Sequence, residues 1–192
     1  MSMGEQRDLT TLEYYVLGLI SVEPQSGYSI ISYFEMDWWR WRGSSSPGSI
    51  YPILKRLESQ GIIDGELEVV HETRPRKMYT LTPLGEELLD AWLRAPVTKD
   101  EAGEERATLM MKFLFAEKRL SSGEILKWLD SYEEATSYYI TLLQVNRNPM
   151  ATGVWSLHQQ LILEATLMEL NMQRTWIQMA RQRLLAFAQN GS

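Results

Sequence analysis

Lys55 and Arg56 in one short stretch, and Arg74, Arg76 and Lys77 in another, stand in segments free of acid: none occurs from Trp38 to Leu57 or from Thr73 to Gly85. Ammonium and guanidinium groups concentrated in this way suit the neutralisation of phosphate oxygens, and the nearby hydroxyls of Ser49 and Tyr51 can add donors to a phosphate or a base edge. Nothing comparable is assembled for catalysis. His71 and His158 are far apart in sequence without a matching carboxylate, there is no cysteine, and no HExxH, GxSxG or phosphate-cradling glycine loop occurs. Glu104-Glu105 and Glu133-Glu134 read as solvated helix faces. The expectation is a binding protein and not an enzyme, with no catalytic residue, metal or cofactor.

Both cationic stretches need a scaffold. Ser46-Pro47 is a helix entry signal and Gly61 a stop signal, so a helix is expected over Ser46 to Gln60, or from nearer Ser49 if Pro52 delays its start. Ile50, Leu54 and Leu57 fall on one face of it, while Ser49, Pro52, Lys55 and Arg56 point away. Glu66 to Val70 and Lys77 to Leu81 are β-rich runs around a basic turn. A helix with outward cations followed at once by a basic hairpin is the layout of a winged helix, in which the helix enters a DNA groove and the hairpin tracks the phosphates beside it. Ahead of this pair, Thr10-Thr11-Leu12-Glu13 fits a capping box for a helix running to about Val22, and Ser26 to Phe34 forms a second helix. Behind it, Thr82 and Pro83 open a fourth helix that ends near Arg94.

Between residues 9 and 93 the chain resembles the PadR family of bacterial transcriptional regulators. The matching words are Gly27-Tyr28, Ser46 to Tyr51, Lys55-Arg56-Leu57-Glu58, Gly61-Ile62-Ile63, Arg74-Pro75-Arg76-Lys77-Met78-Tyr79 and Leu81-Thr82-Pro83-Leu84-Gly85. Family members often have a His before Gly27 and a Gly before Arg74, where this chain has Ser26 and Thr73, so phosphate contacts and wing flexibility are expected to differ there. More loosely, the second half resembles the longer-tailed branch that includes virulence activators and phenolic-acid-responsive repressors. The resemblance implies a sequence-specific regulator of transcription, a ligand-responsive repressor that binds an inverted repeat in double-stranded DNA as a homodimer. Its DNA-binding residues would be Tyr28, Ser49, Tyr51, Lys55, Arg56, Arg74, Arg76 and Lys77. Two of these have a plainer alternative: Tyr28 as filling for the corner between the second and third helices, and Ser49 as a helix cap. For the whole protein the competing functions are a virulence-activator-like regulator without a small ligand and an interaction adaptor that no longer binds DNA.

The chain as a whole is acidic, with a net charge of −6 and a pI near 5.1. Residues 1 to 95 hold nine Lys/Arg against fourteen Asp/Glu, and the remainder ten against eleven, so the two cationic stretches are islands. Counterion release follows the phosphates neutralised locally, and an acidic remainder suppresses non-specific binding. At 192 residues and 44% hydrophobic content the chain suffices for one medium domain or two small ones. It contains no apolar run of about 18 residues and no charged-then-apolar leader, which makes the cytoplasm the expected compartment and a membrane an unexpected partner.

Ala95 to Gly103 reads as a boundary between a DNA-binding domain over 9–95 and a helical dimerisation and effector domain over 104–190. The fold class is then mainly α with a small β-hairpin wing: a winged helix-turn-helix followed by an all-α domain. Tail helices are expected over Glu104 to Glu117, Ser121 to Val145, and Val154 to Ala188. The last has two apolar stripes, Leu163, Leu167, Leu170, Ile177 and Leu184 on one, and Leu161, Ala165, Met168, Met172 and Met179 on the other. Two stripes fit either burial inside one domain or sharing between copies; with only three tail helices to cover them, sharing is preferred, with the first stripe as the dimer seam and Arg174 and Arg181 at its flanks. Tryptophans are the other unusual feature. Trp38, Trp39 and Trp41 with Arg40 and Arg42, and Trp92, Trp128, Trp155 and Trp176 further on, either pack corners between helices or provide, through Trp39, Trp92, Trp155 and Trp176, walls for a flat aromatic effector.

Overall fold

Repeated use of one capping device sets where the helices begin. A Ser or Thr at the N-cap and a Glu or Gln three residues later bond each other's backbone N–H at Thr10/Glu13, Thr98/Glu101, Ser121/Glu124 and Ser156/Gln159. Ser26 and Ser29 do the same with two hydroxyls. The computed structural model describes residues 9–36, 49–68, 75–145 and 155–190. In chain order these residues form α1 (Thr11–Val22), β1 (Gln25–Ser26), α2 (Gly27–Glu35), α3 (Ile50–Ser59), β2 (Ile63–Glu68), β3 (Arg76–Leu81), α4 (Pro83–Arg94), α5 (Lys99–Glu104), α6 (Arg106–Ala116), α7 (Ser122–Val145) and α8 (Leu157–Asn190). The mainly helical class with a small antiparallel wing is the one the sequence predicts.

Details differ where local signals were weak. β1 was not expected, β2 begins at Ile63 rather than Glu66, and α5 occupies part of the stretch read as a boundary. The last helix starts at Leu157 because the Ser156/Gln159 box fixes it there. The chain clusters into two compact units: the described residues up to Leu93 together with Met111–Arg119, and Arg94–Met110 together with the described residues from Leu120 onward.

In the first unit, β3 is the central strand of a sheet ordered β1-β3-β2, antiparallel throughout. The register runs from Ile63 opposite Leu81 to Glu68 opposite Arg76, and on the other edge Gln25 faces Tyr79. Val16, Leu17, Ile30, Leu54, Leu57, Ile63 and Leu89 are buried in its core. The second half of α6 belongs here too. The ring of Phe115 occupies the space where a side chain at Gly18 would begin, and Arg119 pairs with Asp90. Lys112, only 2% exposed, sits 5.1 Å from the ring centre of Trp92, which itself stacks on Tyr14 at 4.6 Å. A lysine this deeply buried is uncommon, and the indole face is one of the few apolar surfaces that attracts an ammonium.

In the second unit, α7 packs along α8 and against α5. Leu163, Leu170 and Ile177, one per seven residues, bury against this unit's own core together with Leu129, Tyr132 and Ile140. The Tyr132 hydroxyl donates to Gln173 Oε1 at 2.9 Å inside it, and burial pushes the phenol up to about 12. Arg181 reaches across to Asp130 and Glu133 of α7.

Candidate nucleic-acid interface

The geometry begins with α3. Its buried side holds Ile50, Ile53, Leu54 and Leu57, leaving Tyr51, Pro52, Lys55 and Arg56 on the outer side, as the 3.6-residue period requires. Pro52 falls in the first turn, where its missing N–H has no partner to lose. At the other end Gly61, at φ 69°, closes the helix: its N–H donates to Glu58, and the N–H of Ile62 to Leu57, each at 3.0 Å. The Thr82 hydroxyl then donates to the Gly61 carbonyl at 2.6 Å while accepting from Gly85 N–H at 3.2 Å, which fixes the start of α4 to the same corner.

Two aromatic residues are exposed at the starts of α2 and α3. Tyr28, in the first turn of α2, is 76% exposed, and Tyr51, in the first turn of α3, is 58% exposed. The Tyr51 ring lies against the Cα of Gly27; a Cβ there would come within 2.6 Å of it. Tyr28 is therefore not corner filling. Among the described residues Ser49, at the start of α3, makes no side-chain capping bond. Because β1 leads straight into the Ser26 cap, the sheet that carries the wing also places the start of α2.

Each wing cation among the described residues faces a carboxylate. Arg76 Nε is 2.6 Å from Glu68 across the strand pair, and Lys77 Nζ is 2.5 Å from Glu58 of α3. Gly65 leaves the room for Lys77 to reach back. The bond to Glu58 raises the Lys77 ammonium above its ordinary value. Arg56 bonds Glu13 of α1. Lys55 has no such partner among the described residues.

Residues 16–91 match the model of a family described as the Transcriptional regulator PadR-like family. Over this segment the chain is similar to the PadR-like family. The Negative transcriptional regulator PadR of Bacillus subtilis (strain 168) is 30% identical over 122 residues, 62% of this chain and 65% of that protein. Transcriptional regulator Rv3488 of Mycobacterium tuberculosis is 44% identical over 55 residues, 29% of this chain and 43% of that protein. The chain thus spans less than two thirds of either curated relative. Among solved structures, Bacillus subtilis PadR in complex with operator DNA is 25% identical, with a TM-score of 0.44 over 91% of this chain and 99% of that one. The same protein in complex with p-coumaric acid gives 26% and 0.40, with 91% and 99% covered.

Within the PadR-like unit the structure brings Tyr28, Ser49, Tyr51 and Lys55 onto the starts and outer faces of α2 and α3, with Arg76 and Lys77 on β3. Arg74 and Trp39 lie outside the described residues, as do Trp38, Trp41, Arg40, Arg42, Ser46 and His71. Trp92 is in the first unit, stacked on Tyr14, whereas Trp155 and Trp176 are in the second, Trp176 at 6.4 Å from the buried Tyr132 ring. Sequence reading also missed the carboxylates. Glu58 was legible only as part of a family word, and Glu13 only as the far half of a capping box.

The stripes of α8 sort differently from expectation. Leu163, Leu170 and Ile177 are core of their own unit, with Leu167 and Leu184 half-buried beside them. The exposed stripe is the second one: Leu161, Met168, which is 72% exposed, Met172 and Met179. Arg181 and Glu133 are paired with each other, and His158 is exposed. Among the described residues no helix is long and apolar enough to cross a membrane.

Proposed function

We propose that the chain is a sequence-specific DNA-binding regulator of transcription, with the segment 9–95 reading duplex and the segment 104–190 joining two copies. The observation that carries this reading is a helix that seats Tyr51 on Gly27, next to the exposed Tyr28, turns Lys55 outward and pairs its Glu58 with Lys77 of the hairpin. The helix offers phenol, hydroxyl and ammonium groups to a major groove while the hairpin supplies cations to the flanking phosphates. A second copy joined through the outer stripe of α8 presents two readers to an inverted repeat, and the spacing of half-sites follows from that symmetry. Repression is the favoured sign, in keeping with the name of the Bacillus subtilis relative. The place of work is the cytoplasm, on chromosomal DNA.

Selection of bound fragments from the source genome, followed by footprinting, tests this directly. An inverted repeat with two protected half-sites about 34–36 Å apart, or a multiple of that, is expected; recovery of unrelated fragments would falsify it. The finer reading includes release by a flat aromatic effector, which should quench tryptophan emission and free DNA over one concentration range. A regulator without a small ligand is the second reading. It is favoured by Trp92 and Trp176 being used in packing.

A further inference from the structure

Glu13 has a partner that helix capping does not require. It sits in the first turn of α1, is 3% exposed, and uses both carboxylate oxygens: Oε2 accepts from the Thr10 N–H at 2.7 Å and hydroxyl at 2.8 Å, and Oε1 accepts from Arg56 Nη2. Burial by itself drives this carboxyl toward the neutral acid; Thr10 and Arg56 outweigh it and hold the group below the ordinary carboxylate value. A buried carboxylate stripped of its cation is a severe defect. Taking the Arg56 guanidinium off Glu13 to reach a phosphate would create it, whereas Lys55 beside it is exposed and has no carboxylate partner among the described residues.

Resting on the DNA-binding reading above, we propose that Arg56 is a positioning residue and not a phosphate contact, tying the recognition helix to the capped first turn of α1. Glu58 and the Gly61 turn hold the same helix to the wing and to α4, and Tyr51 seats it on α2; Arg56 adds a hold to α1. Side chains reach about 5–6 Å from a helix axis, so a rotation of about 10° moves their tips by about 1 Å. That spoils hydrogen bonds to base edges, whose angles are narrow, and leaves flexible contacts to phosphate intact.

Wild type, Glu13→Gln, Arg56→Gln and the double variant decide the matter. Each is unfolded thermally without DNA, then titrated across a salt series against two duplexes of equal length, one selected by the wild type from a random pool and one scrambled. Arg56→Gln should lose about tenfold in discrimination, the scale of one good base contact, with scrambled binding within about twofold and an unchanged salt slope. The double variant should unfold at a higher temperature than Arg56→Gln, having no lone carboxylate to bury, and if the single variant does not fold the double one supplies the DNA result. Equal loss on both duplexes with a slope shallower by about 0.9 marks a phosphate contact and overturns the proposal. Additive thermal effects overturn it as well. A wild type that retains neither duplex removes the DNA-binding reading, and the proposal falls with it.

Discussion

At Gly27 the missing Cβ is what lets the Tyr51 ring rest against α2 beside Tyr28. Gly27→Ala should push that ring outward while leaving the cap of α2 in place. Affinity for a selected duplex should drop by about tenfold, the scale of one lost base contact, with the thermal midpoint nearly unchanged. Loss of folding instead would show that the ring is structural. Glu13 gives a pH signature. Its pKa is lower in the fold than its ordinary 4.5, so its ionisation stabilises the fold fully above that pH, and the contribution drains away as pH falls through the folded value. Melting curves for Glu13→Gln should therefore show a shallower loss of stability below pH 4.5 than wild type. The outward placement of Pro52 and Lys55 was legible from helical period alone. The Arg56–Glu13 pair was not, because forty-three positions separate its members and nothing local distinguishes a capping Glu from one that also binds a distant guanidinium.

Turn and cap chemistry made most element boundaries readable, since Thr10, Ser26, Ser121 and Gly61 act within a few residues of themselves. β1 escaped because two residues cannot display a period, and their pairing is decided by β3, over fifty positions away. Two glycines separate strain from space. Gly61→Ala meets no neighbour but must hold φ 69°, which should cost about 1 kcal/mol. Gly85→Ala drives a methyl group into the Ile62 carbonyl oxygen, so the α3–β2 corner or the start of α4 has to move. Urea unfolding of both variants should rank Gly85→Ala clearly below Gly61→Ala. Phe115→Ala, which empties the place against Gly18, should lose about 3–5 kcal/mol in the same assay.

For the molecule as a whole, two-sidedness of the last helix was predictable from sequence, but which side meets its own unit was not. Both stripes repeat with nearly the same spacing, and only the packing of α7 chooses between them. The choice gives opposite outcomes for two sets of changes. Leu161→Glu with Met168→Glu should yield folded monomers in sedimentation, with the thermal midpoint within about 2 °C of wild type, as expected of exposed sites. Ile177→Ala should instead cost about 2–5 kcal/mol through the void it leaves.

The membership of Met111–Arg119 in the first unit bears on biosynthesis. As the polypeptide leaves the ribosome, everything up to Leu93 emerges before the segment that supplies Phe115 and Arg119. At about 5–20 residues per second, that interval lasts about 1–5 s. Throughout it the groove around Gly18 stands open to water, Arg119 has not yet reached Asp90, and the nascent head must wait, or be sheltered, until its own sequel arrives to close it.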